Sequence, residues 1–322
     1  LDLGKAPPSN AYLISLKATK SEKKYPLKLQ FCKYCYLVQT KDYNKPEELF
    51  TKDYAYFSST SRYFSNHAKI FAKKIIKRLN LNRNSHVIEI ASNDGYLLKN
   101  FKSKNIPILG IEPTKSTYQK SIDLEIPTIN KFFSAKLSKK LIKDYNKADL
   151  IIANNVYAHV PDIKDFTKGI KNLLNTKGTI TIEFPHLLNL VKFNQFDTVY
   201  HEHYSYLSIN FLKKLFDEFD LKIYDIKKIN THGGSLRVYG CHKSFKKKRI
   251  SSNVKHILNE EVRYGLLSEK KYLTLATRAF KIKKEFRNFL YKVKKEKKTI
   301  VAYGAAAKGN TFLNYCKIDS SL

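Results

Sequence analysis

Methionine is absent from all 322 residues, position 1 included, and the chain opens on Leu1-Asp2-Leu3-Gly4 as if inside a folded element. A fragment is the expectation, and the stop at Asp319-Ser320-Ser321-Leu322, soon after a glycine-bearing loop, implies a cut on the C-terminal side as well. No run of about 18 apolar residues occurs, which excludes a membrane-spanning helix. No signal peptide is visible, although a missing N-terminus would hide one. Four cysteines are too few for a disulfide-built fold and suit a reducing compartment, so a cytoplasmic location is expected. Acidic residues are scarce: 28 Asp plus Glu stand against 60 Lys plus Arg, a formal charge of +32. Such a surface attracts anions. The lysines are nevertheless scattered singly, densest over 281–298, and not gathered beside stacking aromatics as a nucleic-acid groove requires.

What is abundant points to a packed globular protein: 43% of residues are hydrophobic and 13% aromatic. The length predicts two or more domains. Residues 1–57 are irregular and tyrosine-rich and hold Cys32 and Cys35 between short β-like runs, as in a small metal-stapled module. Over 60–79, Phe64, Ala68, Phe71, Ile75 and Leu79 recur at helical spacing. Strand-like stretches at 87–91, 108–112, 150–154 and 179–184 then alternate with helical ones near 97–103, 116–123, 135–145 and 163–174. That alternation predicts an α/β fold on a parallel sheet. Ser208 is placed to cap a helix through Phe219, 221–229 and 235–241 read as an antiparallel pair, and a basic helical region over 253–296 precedes a strand at 299–303.

The segment Glu89-Ile90-Ala91-Ser92-Asn93-Asp94-Gly95 ends the first of these strands and bends into a helix. Ligands of doubly wound folds bind at such strand ends. Glu112, closing the second strand, is placed for a ribose diol, and Asn154 and Asn155 follow the third. A nicotinamide enzyme would want three glycines for its pyrophosphate. Only Gly95 is present, which fits a ligand without pyrophosphate such as S-adenosylmethionine. Glu89, Ala91, Asn93, Asp94, Gly95, Glu112, Asn154 and Asn155 are the candidate cofactor contacts.

A second cluster runs Phe196-Asp197-Thr198-Val199-Tyr200-His201-Glu202-His203-Tyr204. His201 and His203 are candidate metal ligands, since alternate residues of an extended segment share a face, and either also suits general-base work. The loop Gly304-Ala305-Ala306-Ala307-Lys308-Gly309-Asn310 keeps the spacing of a phosphate-holding turn, or simply opens a helix.

Together with Pro7-Pro8-Ser9-Asn10, Cys32-Lys33-Tyr34-Cys35, Tyr54 with Ser58-Ser59, Ala158-His159-Val160-Pro161-Asp162 and His232-Gly233-Gly234-Ser235-Leu236-Arg237, these motifs resemble the sugar C-methyltransferases of deoxysugar biosynthesis over nearly the whole chain. The resemblance implies a Rossmann-like class I methyltransferase domain (58–230) between a small N-terminal zinc-binding module (1–57) and a truncated C-terminal Rossmann-like domain for the nucleotide sugar (231–322). The family's zinc site looks like two Cys-x-x-Cys pairs, of which only Cys32 and Cys35 stand here, so the site is expected to be incomplete. By the same analogy His203 is the base beside a sugar ketone, with Tyr54, His159, Tyr200 and Glu202 lining the reacting centre. The expected partners are S-adenosylmethionine, zinc and a nucleoside-diphosphate 4-ketosugar, with no membrane, in a monomer or weak dimer. Methylation of oxygen or nitrogen is the alternative, and a nucleic-acid-binding protein or RNA methyltransferase ranks last.

Overall fold

The computed structural model describes residues 1–13, 15–41, 49, 56–304 and 307–319. An antiparallel sheet opens the chain, with β1 (Asp2–Ala6), β2 (Tyr25–Phe31) and β3 (Val38–Thr40) in sequence. Cys32 and Cys35 lie in the turn between β2 and β3, as the spacing predicts. Helix α1 (Arg62–Leu79) begins at Ser61, whose side chain accepts the Phe64 N–H, and buries Ala68, Phe71, Ala72 and Ile75 along one stripe.

The central sheet follows with β4 (Val87–Ile90), β5 (Ile108–Ile111), β6 (Thr128–Ile129), β7 (Ala148–Asn154), β8 (Leu174–Pro185), β10 (Leu221–Ile229) and β11 (Ser235–His242). Their order across the sheet is β10-β11-β8-β7-β4-β5-β6, and only β11 runs against its neighbours. Residues Leu150 to Ala153 of β7 are fully buried, because helices cover both faces of the sheet. The chain walks outward from β4 to β6 and then restarts at β7 on the other side of β4. That reversal opens a crevice at the C-terminal ends of β4 and β7, where the first candidate motif lies.

Helix α5 (Ile163–Leu173) starts on Asp162 and α7 (Ile209–Glu218) on Ser208; each cap accepts the N–H three residues on. Between them the short β9 (Ser205–Tyr206) leaves the central unit and pairs with β3, through Val38 with Tyr206 and Gln39 with Ser205. This pairing fastens the N-terminal sheet to the loop that carries Tyr200, Glu202 and His203.

Three details differ from expectation. The helical region expected over 253–296 is two helices, α8 (Ser252–Tyr264) and α9 (Glu269–Lys295), because Gly265 takes φ +90° and ends the first. The strand expected at 299–303 does not form: Val301 and Tyr303 are exposed, and no strand among the described residues lies beside them to pair. The glycines of the last loop do not all precede a helix, since Gly309 falls inside α10 (Ala307–Cys316) and residues 305–306 lie outside the described residues.

Glu261 of α8, fully buried, accepts the N–H groups of Ile209 and Asn210 at 2.7 and 2.9 Å and lies 2.7 Å from His186 Nε2. It joins α8 to the start of α7 and the end of β8. Glu261→Ala leaves two amides and an imidazole unpartnered in the interior, and thermal unfolding is expected to show a loss of about 3–5 kcal/mol.

Candidate active site

A cavity of about 750 Å3 opens at the crevice. The turn after β4 forms its floor through backbone that few residues adopt: Ala91, Asn93 and Gly95 have φ of +56°, +51° and +76°. At Gly95 the left-handed dihedral favours glycine, and a Cβ there would also press on the end of the Ile126 side chain. Glu112 lines the same cavity; its carboxylate accepts the N–H groups of Asn93 and Thr114, each at 2.9 Å, and the Thr114 hydroxyl. Burial pushes the Glu112 carboxyl up, against the pull of those donors.

Ala91, Asn93, Asn154 and Asn155 line the cavity too, whereas Glu89, Asp94 and Gly95 sit behind its surface. Asp94 accepts the Ser59 N–H at 3.0 Å and Asn93 the Ser58 N–H at 2.9 Å, so the turn is fastened to the segment before α1. Burial holds Glu89 far toward its protonated form, reinforced by Asp94 and Glu112. Two oxygens of the lining residues have no partner among the described residues, Asn154 Oδ1 and Asn155 Oδ1, and behind the surface the same is true of Glu89 Oε2, Ser92 Oγ and Asp94 Oδ1. Unpaired buried acceptors at a strand-end crevice call for a ligand rich in donors. The ammonium, amino and hydroxyl groups of S-adenosylmethionine fit that demand.

The opposite wall comes from residues 158–161 and 198–203. His159 Nδ1 lies 2.9 Å from the Glu202 carbonyl, and His203 Nδ1 lies 3.2 Å from the Thr198 carbonyl. A carbonyl only accepts, so each Nδ1 carries the hydrogen and each Nε2 keeps its lone pair in the neutral ring. The two rings meet edge to face at 4.8 Å, and Tyr200 lies over His203 at 4.1 Å. Burial lowers His159 to about 4 and His203 well below the ordinary imidazole value, with His159 adding to the effect on His203. Burial raises the Tyr200 phenol and pushes Glu202 up to about 7, the latter against a 2.7 Å hydrogen bond from Asn10 Nδ2.

His201 does not share this face. The chain turns between 201 and 203, and His201 packs against Tyr25 with Nε2 3.3 Å from its carbonyl. The metal-ligand alternative for His201 and His203 therefore has no geometry here, and no group of three His, Cys, Asp or Glu side chains suited to a metal exists among the described residues. Cys32 and Cys35 stand differently. The Cys32 thiol is lowered by the amides of Cys35 and then Tyr34, as a metal-binding knuckle requires, but the described residues supply only two of the four ligands that zinc takes. Tyr54 lies outside the described residues. Sequence reasoning assigned no role to Asn10 or His232, both of which line the cavity. Their signal was present, in the Pro7 to Asn10 and His232 to Arg237 motifs, without a geometry to interpret it.

Residues 63–226 match a family model described as "Methyltransferase domain", half of the chain, while 230–322 match "C-methyltransferase C-terminal domain" and 1–50 match "Putative zinc binding domain". The chain belongs to the C-methyltransferase family. This methyltransferase is 28% identical over 292 residues to C-methyltransferase NovU of Streptomyces niveus, across 91% of its own length and 69% of that protein's. Among solved structures it is similar to magnesium protoporphyrin IX methyltransferase from Synechocystis PCC 6803 with bound SAM, at 12% identity and TM-score 0.43 over 55% of this chain and 79% of the other. A S-adenosylmethionine-dependent methyltransferase from Clostridium acetobutylicum ATCC 824 matches at 13% identity and TM-score 0.45, over 55% of this chain and 92% of the other. The resemblance read from the motifs therefore holds at the level of a C-methyltransferase that uses S-adenosylmethionine. No helix among the described residues is long and apolar enough to cross a membrane.

Two outcomes are expected. Glu112→Ala weakens S-adenosylhomocysteine binding about 10- to 100-fold in calorimetric titration, the loss of hydrogen bonds to a charged group. The second concerns acid. Glu202, titrating near 7 when folded against an ordinary 4.5, binds a proton on folding, so its stability contribution is lost as pH rises through that window. His159, near 4 when folded against 6.5, has the opposite sign and gains as pH rises. Gln matches the protonated Glu202 and cannot ionise, so Glu202→Gln should raise the melting temperature relative to the parent at about pH 8 and leave it nearly equal at about pH 5.

Proposed function

We propose that the enzyme methylates a carbon next to the ketone of a nucleoside-diphosphate 4-ketosugar, by way of an enolate. The observation that carries this reading is the pair of neutral imidazoles, each with Nδ1 committed to a backbone carbonyl, beside a phenol that burial keeps protonated. A neutral Nε2 is a proton acceptor, and a protonated phenol is a donor for a developing enolate oxygen. His203 removes the proton and Tyr200 supports the oxygen, while His159 and Glu202 complete the wall. S-adenosylmethionine, when bound, supplies an electrophilic methyl on its sulfonium. Burial of the rings excludes water that would return the proton, and it also keeps both histidines in the basic form at neutral pH.

Glu89, Ala91, Asn93, Asp94, Gly95, Glu112, Asn154 and Asn155 hold the cofactor in this reading. The two asparagine oxygens without partners receive its donors, Glu112 takes the ribose diol, and Glu89, Asp94 and Gly95 shape the turn behind them. The motif resemblance supports the ketosugar as acceptor, and the family match supports carbon as the methylated atom.

Incubation with S-adenosylhomocysteine in deuterium oxide reads the proton abstraction separately from transfer. The parent is expected to exchange the hydrogen next to the ketone of thymidine- or uridine-diphosphate 4-keto-6-deoxysugars and, in a separate incubation with methyl-labelled S-adenosylmethionine, to transfer the label to the same carbon. His203→Asn should lower turnover about 10²- to 10⁴-fold, the usual share of a general base, with homocysteine-product affinity within about twofold. Methyl transfer to a hydroxyl without any exchange would establish oxygen methylation instead.

A further inference from the structure

The turn between β10 and β11 holds a histidine whose backbone and ring are both out of the ordinary. His232, Gly233 and Gly234 take φ of +50°, +78° and +106° in succession. Glycine adopts such values freely, and an L side chain seldom does. The turn is fixed from outside by neighbours that do not involve the imidazole. Gln195 Nε2 donates to the Gly233 carbonyl at 3.1 Å and Asn189 Nδ2 to the Gly234 carbonyl at 3.1 Å. The Thr231 hydroxyl donates to Glu183 at 3.3 Å, and the Ser235 hydroxyl to the Thr231 carbonyl at 2.9 Å. The backbone shape therefore gives no reason for histidine at 232, where glycine or asparagine would sit with less strain.

The ring gives one. It lines the cavity and lies 5.1 Å from the Phe64 ring, and its Nδ1 is buried with no hydrogen-bond partner among the described residues. The other two cavity histidines each commit Nδ1 to a carbonyl, so His232 alone of the three leaves that nitrogen unpaired. A strained residue carrying an unpaired buried donor or acceptor into a cavity marks a contact that a ligand completes. The turn belongs to the β8, β10 and β11 half of the sheet, away from the β4 and β5 ends that make the cofactor wall. A charge on His232 would oppose protonation of both His159 and His203, which places it on the side of the reacting centre.

We propose that His232 binds the methyl acceptor, its imidazole hydrogen-bonding an oxygen of that molecule on the cavity wall shared with Tyr200 and His203. The proposal rests on the function proposed above only for the chemistry of the acceptor, a hydroxyl or ketone oxygen of a sugar.

The test compares the parent chain with His232→Gly, which frees the backbone and removes the ring, and with His232→Asn, which tolerates the left-handed turn but lacks the imidazole. The probes are the thymidine- and uridine-diphosphate 4-keto-6-deoxysugars. Turnover by the parent on these acceptors reads the proposed function, while the ratio of variant to parent on whichever acceptor is methylated reads His232. Both variants are expected to keep S-adenosylhomocysteine affinity within about twofold and to lose about 10- to 100-fold in kcat/KM for the acceptor. Added imidazole should restore part of the loss in the glycine variant. Acceptor kcat/KM within about twofold of the parent in His232→Gly would overturn the proposal. So would a loss in the glycine variant that His232→Asn repairs together with the melting temperature, since the residue would then serve only the turn.

Discussion

Two backbone carbonyls decide the tautomers of the two histidines on one cavity wall. The Thr198 and Glu202 oxygens hold the Nδ1 atoms of His203 and His159, and in doing so choose the tautomer of each ring. Neither choice follows from the histidines themselves. Each depends on how the loop over 198–206 is bent, and the loop is held by further backbone bonds: His203 N–H to the Tyr200 carbonyl at 3.0 Å, Tyr204 N–H to the Ala158 carbonyl at 2.7 Å, and Thr40 N–H to the Tyr204 carbonyl at 3.1 Å. A histidine held this way is fixed by main chain, which moves less than side chains do.

The last of those bonds comes from the N-terminal sheet, and it gives that small module a role beyond any metal. β3 pairs with β9, the Thr40 hydroxyl donates to the His203 carbonyl at 2.9 Å, and Asn10 reaches the Glu202 carboxyl. The segment before α1 meanwhile offers Ser58 and Ser59 amides to Asn93 and Asp94 of the turn after β4. The N-terminal residues thus touch both walls of one cavity. Folding of the module and assembly of the site are coupled through hydrogen bonds whose donors and acceptors lie more than 30 residues apart, some more than 160.

Charge follows a similar division. The +32 excess is carried by lysines on the surface, where water screens them, while the cavity is ruled by desolvation. Burial lowers the histidines, raises the tyrosine and carboxyls, and so collects neutral groups at the centre of a strongly basic protein. Net charge says little about such a site, because a group's own burial outweighs distant screened charges.

Much was legible in the chain alone. Apolar runs of four to seven residues, each followed by an amphipathic stretch, specify a parallel sheet with covered faces, since strand and helix periods differ and only one pattern fits each segment. Glu89 to Gly95 and Glu112 marked the strand-end crevice, where ligands of a doubly wound sheet bind. The helix caps at Ser208 and Asp162 are local chemistry, and local chemistry is visible in order of sequence. What sequence left open needed contacts between distant residues. Whether His201 and His203 share a face depended on a turn imposed by β9 pairing with β3, and the strand expected at 299–303 found no neighbour among the described residues. The left-handed backbone and unpaired ring of His232 have meaning only with the turn held by Gln195 and Asn189 and the ring beside Phe64, all far from it along the chain. Pairing, burial and tautomer are properties of neighbours in space, and only the tertiary structure supplies those neighbours.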